Sequence, residues 1–291
     1  MESRIGFDAL LPSEMAIKAE DVGVSKANLG SFPTFSLAVL AGAFIALGAV
    51  FSTTSIMSAT NMPSGVTKVI AGLTFSLGLI LVVIGGAELF TGNNLIVMAW
   101  ASHKVSTGRL VRNWLIVYAG NFVGAVLTAF IIFLGEIYMV GNGSQGLTAL
   151  TIANSKVSLG FVPAVVRGIL CNVLVCLAVW LCNSARSGTD KVFLIIPPIT
   201  AFVACSFEHS VANMYFIPQA LFILNWSNPS FWNLIGSSPA DFPNLTLENF
   251  VLGNLIPVTI GNIIGGAVMV GLVYWAIYLW QGRISINLKG N

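Results

Sequence analysis

Glu208 and His209 stand side by side in the stretch Ser206-Phe207-Glu208-His209-Ser210-Val211-Ala212-Asn213-Met214, inside an apolar run long enough to cross a lipid bilayer. Ionisable side chains at membrane depth are expensive and face a pathway or a cavity rather than lipid, so the pair marks a place where something polar passes. An imidazole set there can supply a hydrogen bond or a proton. His209 and Asn213 are four apart and share a face of a continuous helix, on which Phe202 lies two turns earlier. Phe75 and Leu79 share a face in the same way in an earlier apolar run. A path lined by Phe and Leu that narrows around one imidazole is hostile to a bare ion and suits a small weak acid. A second carboxylate, Glu88, precedes Asn93 at the spacing of Glu208 and Asn213. The structural reading of both glutamates is an anchor that caps backbone N–H groups at the start of a half-helix, where negative charge is favourable.

These residues need a frame, and composition says what kind. Hydrophobic residues make up 56% of the 291 and charged residues only 8%, against about a quarter charged in soluble domains. The chain reads as an integral membrane protein. A net charge of +2, with the basic residues scattered between apolar runs, gives no footing for a nucleic-acid partner. Cys171, Cys176, Cys182 and Cys205 lie in or beside apolar runs with no close Cys–His grouping, so they read as small buried hydrophobes and no metal or other cofactor is implied. The first thirty residues mix acidic and basic side chains and hold no apolar core, so no cleavable signal is expected.

Six apolar blocks fall at about 34–57, 66–101, 112–135, 160–182, 192–222 and 250–281, each sufficient for the roughly 20 residues of a spanning helix. This divides the chain into an N-terminal amphipathic segment, 1–33, a transmembrane domain, 34–281, and a tail, 282–291. Most loop Lys and Arg fall between blocks two and three and between four and five, with Arg283 and Lys289 in the tail, so the positive-inside rule sets both termini in the cytoplasm. Within 1–33, Ser13 is expected to cap a short helix that Gly23 stops, lying at the membrane interface, with a lid at a pore mouth as the alternative.

Blocks two and five look broken: one carries Gly85-Gly86-Ala87-Glu88 and Thr91-Gly92-Asn93-Asn94, the other Pro197, Pro198 and Pro218 around the Glu208–His209 stretch. The halves also echo each other. Glu88 and Asn93 repeat as Glu208 and Asn213 at an offset of 120, and Gly120-Asn121-Phe122-Val123-Gly124 repeats as Gly261-Asn262-Ile263-Ile264-Gly265 at 141. Three spans per half is odd, so the second copy is expected upside down, which gives an all-α inverted 3+3 repeat with helices two and five interrupted at the waist. Each Gly-x-x-x-Gly permits close helix contact, and lipid-buried packing explains a single copy equally well.

Leu89-Phe90-Thr91-Gly92-Asn93, Phe207 to Met214 and Ile256-Pro257-Val258-Thr259-Ile260-Gly261-Asn262-Ile263-Ile264-Gly265-Gly266 resemble the signatures of the formate/nitrite transporter family, nearest to its bacterial formate channels; the likeness extends to Phe7-Asp8-Ala9-Leu10-Leu11-Pro12 and Lys156-Val157. The resemblance implies a homopentamer of aquaporin-like protomers in the bacterial inner membrane, each passing formate and related small anions such as nitrite, acetate or hydrosulfide. By motif it makes His209 the pore centre with Thr91 its partner, Phe75 with Phe202 and Leu79 with Phe90 the two constrictions, and Lys156, Asn172, Glu208 and Asn262 the residues that shape the field. It also implies a gating role for the N-terminal segment.

Ser206 stands where the family usually has Gly, Ser158 and Leu159 follow Lys156 where many formate channels have His, and Pro163 with Arg167 makes the start of block four unusual. These departures bear on substrate ranking and pH response rather than on fold. Channel and proton-coupled carrier remain alternatives. A water or glycerol channel would need paired Asn-Pro-Ala boxes, and Asn213-Met214 is no substitute. A membrane enzyme using Glu208 and His209 as acid and base would need a second polar cluster that the sequence lacks.

Overall fold

The computed structural model describes residues 9–59 and 61–280, which are helical with no strand among them. Phe7, Asp8 and the tail 282–291 lie outside the described residues.

Among the described residues, five helices are long and apolar enough to span a bilayer: α2 (Ser31–Ile56), α3 (Ser64–Gly85), α6 (Thr107–Leu134), α8 (Phe161–Cys182) and α12 (Asn249–Trp280). Between α3 and α6 the chain ends its helix at Gly86, whose φ of +77° is the left-handed stop glycine adopts without penalty. It then runs through Ala87, Glu88 and Leu89 without helical form, and coils again as α4 (Phe90–Asn93) and, after one tight turn, α5 (Val97–Ala101). α7 (Ser144–Val157) joins α6 to α8.

After α8, α9 (Gly188–Ala204) opens on Ser187, whose hydroxyl accepts from Asp190 N–H while the Asp190 carboxylate accepts from Ser187 N–H. The helix stops at Cys205, and Ser206 turns left-handed at φ +58°. α10 (Ser210–Trp226) begins only after His209. α9 and α10 have 17 residues each, short of the roughly 20 a span requires. α11 (Pro229–Ile235) precedes α12.

Glycine sets the closest approaches. A Cβ at Gly124 would overlap the Val39 carbonyl oxygen of α2, and one at Gly265 would overlap the Ile169 oxygen of α8. The two glycine motifs are thus the places where α6 crosses α2 and α12 crosses α8, and any larger residue would push backbones apart.

The N-terminal helix departs from expectation. α1 runs over Pro12–Asn28 with Leu11 at its cap, whose N–H is accepted by the Glu14 carboxylate at 2.8 Å, so Ser13 is not the cap. Nor does Gly23 stop it. Gly23 faces the α5 region, where a Cβ would sit 3.2 Å from that of Ala99, so the glycine serves a close helix contact. Met15, Ala16 and Ala19 are buried with Met98 and Trp180, against which Tyr274 packs, so the apolar face of α1 meets protein. Lys104 pairs with Glu20 and lies 3.6 Å from Asp21, tying α1 to the turn after α5. Of the cysteines, Cys171, Cys176 and Cys182 are buried as expected, whereas Cys205, just past the end of α9, is exposed.

Candidate functional site

The non-helical stretches between α3 and α4 and between α9 and α10 lead to residues that meet in the buried interior. His209 is the cap of α10: its Nδ1 accepts the Ala212 N–H at 3.0 Å, and its Nε2 lies 2.9 Å from Thr91 Oγ1 in the first turn of α4. An accepting Nδ1 puts the single ring proton of a neutral imidazole on Nε2, so His209 donates to Thr91. Apolar rings close around this bond. Phe202 stacks on the imidazole with centroids 6.0 Å apart, Phe75 meets Phe202 edge-on at 5.6 Å, and all three are 3% exposed. Leu79 and Phe90 are buried beside them, Phe90 held edge-on by Tyr118 at 4.9 Å.

Two cavities approach this waist. One, of about 320 Å³, is lined by Leu79, Glu88, Asn93 and Lys26. The other, of about 380 Å³, is lined by Phe75, Phe202, His209, Glu208 and Lys156.

The same set of bonds recurs on the two sides. Lys156 Nζ lies 3.1 Å from Glu208 Oε1, and Asn213 donates to Glu208 Oε2 at 2.7 Å and to Asn254 Oδ1 at 2.7 Å, while Asn254 donates to the Lys156 carbonyl at 3.0 Å. On the other side Lys26 Nζ lies 2.7 Å from Glu88 Oε1, Asn93 donates to Glu88 Oε2 at 2.6 Å and to Asn113 Oδ1 at 2.9 Å, and Asn113 donates to the Lys26 carbonyl at 3.2 Å. Burying a charge pair is tolerable only when its remaining hydrogen-bonding positions are filled, and the asparagines fill them.

Glu88 and Glu208 therefore face ammonium and amide groups, not the backbone N–H groups that the anchor reading assigned to them. That task falls to Asn121 and Asn262. Asn262 accepts the Ser210 N–H at 2.9 Å and donates to the carbonyls of Glu208 and Gly168; Asn121 accepts the Phe90 N–H at 2.9 Å and donates to those of Glu88 and Ala38. Each asparagine spans an unwound stretch where helical bonds are missing.

Asn172 lines neither cavity. Its amide donates to the carbonyls of Thr91 and Asn262 and to Asn94 Oδ1, so it holds the α4 backbone that presents Thr91. His209 and Asn213 do not point together as a continuous helix would require. His209 has extended backbone at the cap and turns to Thr91, while Asn213, inside α10, turns to Glu208 and Asn254.

Lys26, Asn113 and Asn254 were not evident as site residues. Their signal was present: Asn113 and Asn254 are separated by the same 141-residue offset as the two glycine motifs.

Residues 13–276 match the family model of the formate/nitrite transporter. The chain belongs to the formate/nitrite transporter family. It is 50% identical over 273 residues to the formate channel FocA of Escherichia coli strain K12, covering 94% of this chain and 96% of that protein. It is 45% identical to the formate channel FocA of Haemophilus influenzae, over 91% and 93% of the two chains. Among solved structures it is similar to a pentameric formate channel with formate bound, at a TM-score of 0.82 and 48% identity, covering 86% of this chain and 98% of that one. The protein is thus an all-helical membrane protein of a transporter family, not of an enzyme family.

Proposed function

We propose that the protein passes formate and related small monovalent anions, among them nitrite, acetate and hydrosulfide, along the path that joins the two cavities through the waist. The observation that carries this reading is the Thr91–His209 hydrogen bond, set among buried Phe and Leu side chains between two cavities that each hold a Lys–Glu pair. A lysine at each mouth draws the anion in. The constrictions Phe75 with Phe202 and Leu79 with Phe90 strip its water, a step that is costly for a charge unless something compensates it. The Nε2–H of His209 supplies that compensation as a hydrogen bond or, in a proton-coupled cycle, as a proton.

The frame belongs to the same proposal. The interrupted paths α3–α4–α5 and α9–α10 are helices two and five of a six-span inverted 3+3 repeat, a reading supported by the duplicated Lys–Glu–Asn–Asn bonds and by the matched roles of Asn121 and Asn262. The protein works as a homopentamer in the bacterial inner membrane, a reading supported by its likeness to a pentameric formate channel. Both termini lie in the cytoplasm, a reading supported by Lys104, Arg109 and Arg112 between apolar blocks two and three and by Arg186 and Lys191 between blocks four and five, which follow the positive-inside pattern.

Proteoliposomes test it. Formate loaded on one side should leave down its gradient through the wild-type protein, and His209→Phe should change both the rate and its pH dependence. Unaltered flux and pH dependence in that variant would overturn the role given to His209. Accumulation driven by a pH gradient alone separates proton symport from channel behaviour.

A further inference from the structure

Three cationic side chains, Lys68, Lys156 and Arg167, and a single carboxylate, Glu208, line the cavity on the Phe202 side of the waist. Lys156 is matched to Glu208. Arg167 is not: half-buried in the second turn of α8, its guanidinium has no hydrogen-bond or ion-pair partner among the described residues. Its backbone is fixed to the waist all the same, because the Arg167 carbonyl accepts the Glu208 N–H at 3.2 Å, one residue before His209. On the other side the Glu88 N–H is accepted by the Leu37 carbonyl, so the equivalent place there carries an apolar side chain. The duplicated frame is therefore asymmetric in chemistry at this position. Among the described residues, the cations of the cavity lined by Lys26 are all ammonium groups, those of Lys18, Lys26 and Lys191.

A long cation on a spanning helix usually has its head drawn to water or lipid headgroups. Here Arg167 is among the residues that line the cavity that leads to His209. A guanidinium presents parallel N–H donors in a planar fork that fits two oxygens of one anion, whereas an ammonium acts as a point charge. We infer that Arg167 is a docking residue for planar two-oxygen monoanions, carboxylates and nitrite, in the cavity beside Phe202, and that it supplies a selective step before the waist at that mouth only. This rests on the transport reading given above and adds a substrate-recognising residue to it.

The test is the KM for formate flux in proteoliposomes, measured for the wild type, Arg167→Lys and Arg167→Gln. A fall in the amount of folded protein lowers maximal flux without raising KM, so misfolding does not mimic the effect. The expected result is a KM raised roughly three- to tenfold by Arg167→Gln and by a comparable factor in Arg167→Lys, since the lysine keeps the charge but not the fork. A wild-type KM in Arg167→Lys would overturn two-point recognition and leave only a charge. A wild-type KM in Arg167→Gln would overturn the docking site and point to a headgroup contact instead. Wild-type vesicles with no formate flux would overturn the transport reading itself, a result separate from either.

Discussion

Thr91 and His209, 118 residues apart in sequence, share a 2.9 Å hydrogen bond while the second ring nitrogen of His209 caps α10 through Ala212 N–H. One side chain thus holds a helix end and lines a cavity. The two roles separate by substitution. His209→Asn keeps a capping oxygen and loses Nε2, so flux should fall about tenfold or more while stability changes by only a few tenths of a kcal/mol. His209→Phe loses the cap as well, a further cost of about 1 kcal/mol. Formate flux and thermal unfolding in detergent measure the two effects, and equal melting of both variants would refute the capping role.

The buried Lys156–Glu208 pair should be the more sensitive of the two charge pairs. Its side chains are 14% and 4% exposed, whereas Lys26 in the other cavity is 29% exposed and can recruit water. Glu208→Leu strands an ammonium and should cost about 3 kcal/mol, with Glu88→Leu costing less. The double variant Lys156→Met with Glu208→Leu should recover much of that stability without recovering flux. Denaturant titration of the solubilised protein, read beside flux, decides it.

Ser206 occupies left-handed backbone at φ +58°, the place that Gly86 fills at φ +77° in the other interruption. A side chain there costs about 1 kcal/mol relative to glycine. Ser206→Gly should therefore stabilise the protein by up to about that amount, and Gly86→Ser should lose a similar amount. Shifts in melting temperature of opposite sign are the expected readout.

Lys104 ties α1 to the turn after α5, and its hydrogen bond to Glu20 raises its pKa above the ordinary 10.5, with burial opposing. A raised lysine contributes stability that is complete below 10.5 and is lost as pH rises through its higher folded value. Loss of the Lys104 proton should thus loosen α1 only on the alkaline side. Lys104→Gln should speed hydrogen exchange across residues 12–28 a few-fold at neutral pH, the size expected of a pair whose lysine is 41% exposed. Unchanged exchange would show that the other contacts of α1, the packing around Met15 and Ala19 and the Lys26–Glu88 pair, hold it without Lys104.

Much of the site was legible because the membrane makes exceptions conspicuous. A charge inside an apolar run is costly, so Glu88, Glu208 and His209 stood out, and glycine and proline marked where helices would stop. The helical faces around the interruptions were less legible. A face assignment assumes continuous helix, and His209 lies outside α10, so it turns away from Asn213 despite the four-residue spacing. Lys26 escaped for another reason. It lies in a segment of ordinary amphipathic composition, 62 residues from Glu88, and nothing local distinguishes it from a solvated lysine.

By itself the sequence determined the apolar lengths, the positions of the interruptions and the residue types that could meet an anion, since each follows from local chemistry under the demand that backbone groups in lipid be satisfied. Only the tertiary structure decided which other partners they found: Lys26 for Glu88, Asn121 and Asn262 for the unwound backbones, and a cavity for Arg167. A hydrogen bond requires donor and acceptor within about 3 Å, and between residues so distant in sequence that proximity is set by how the helices cross, which the glycines of α6 and α12 control.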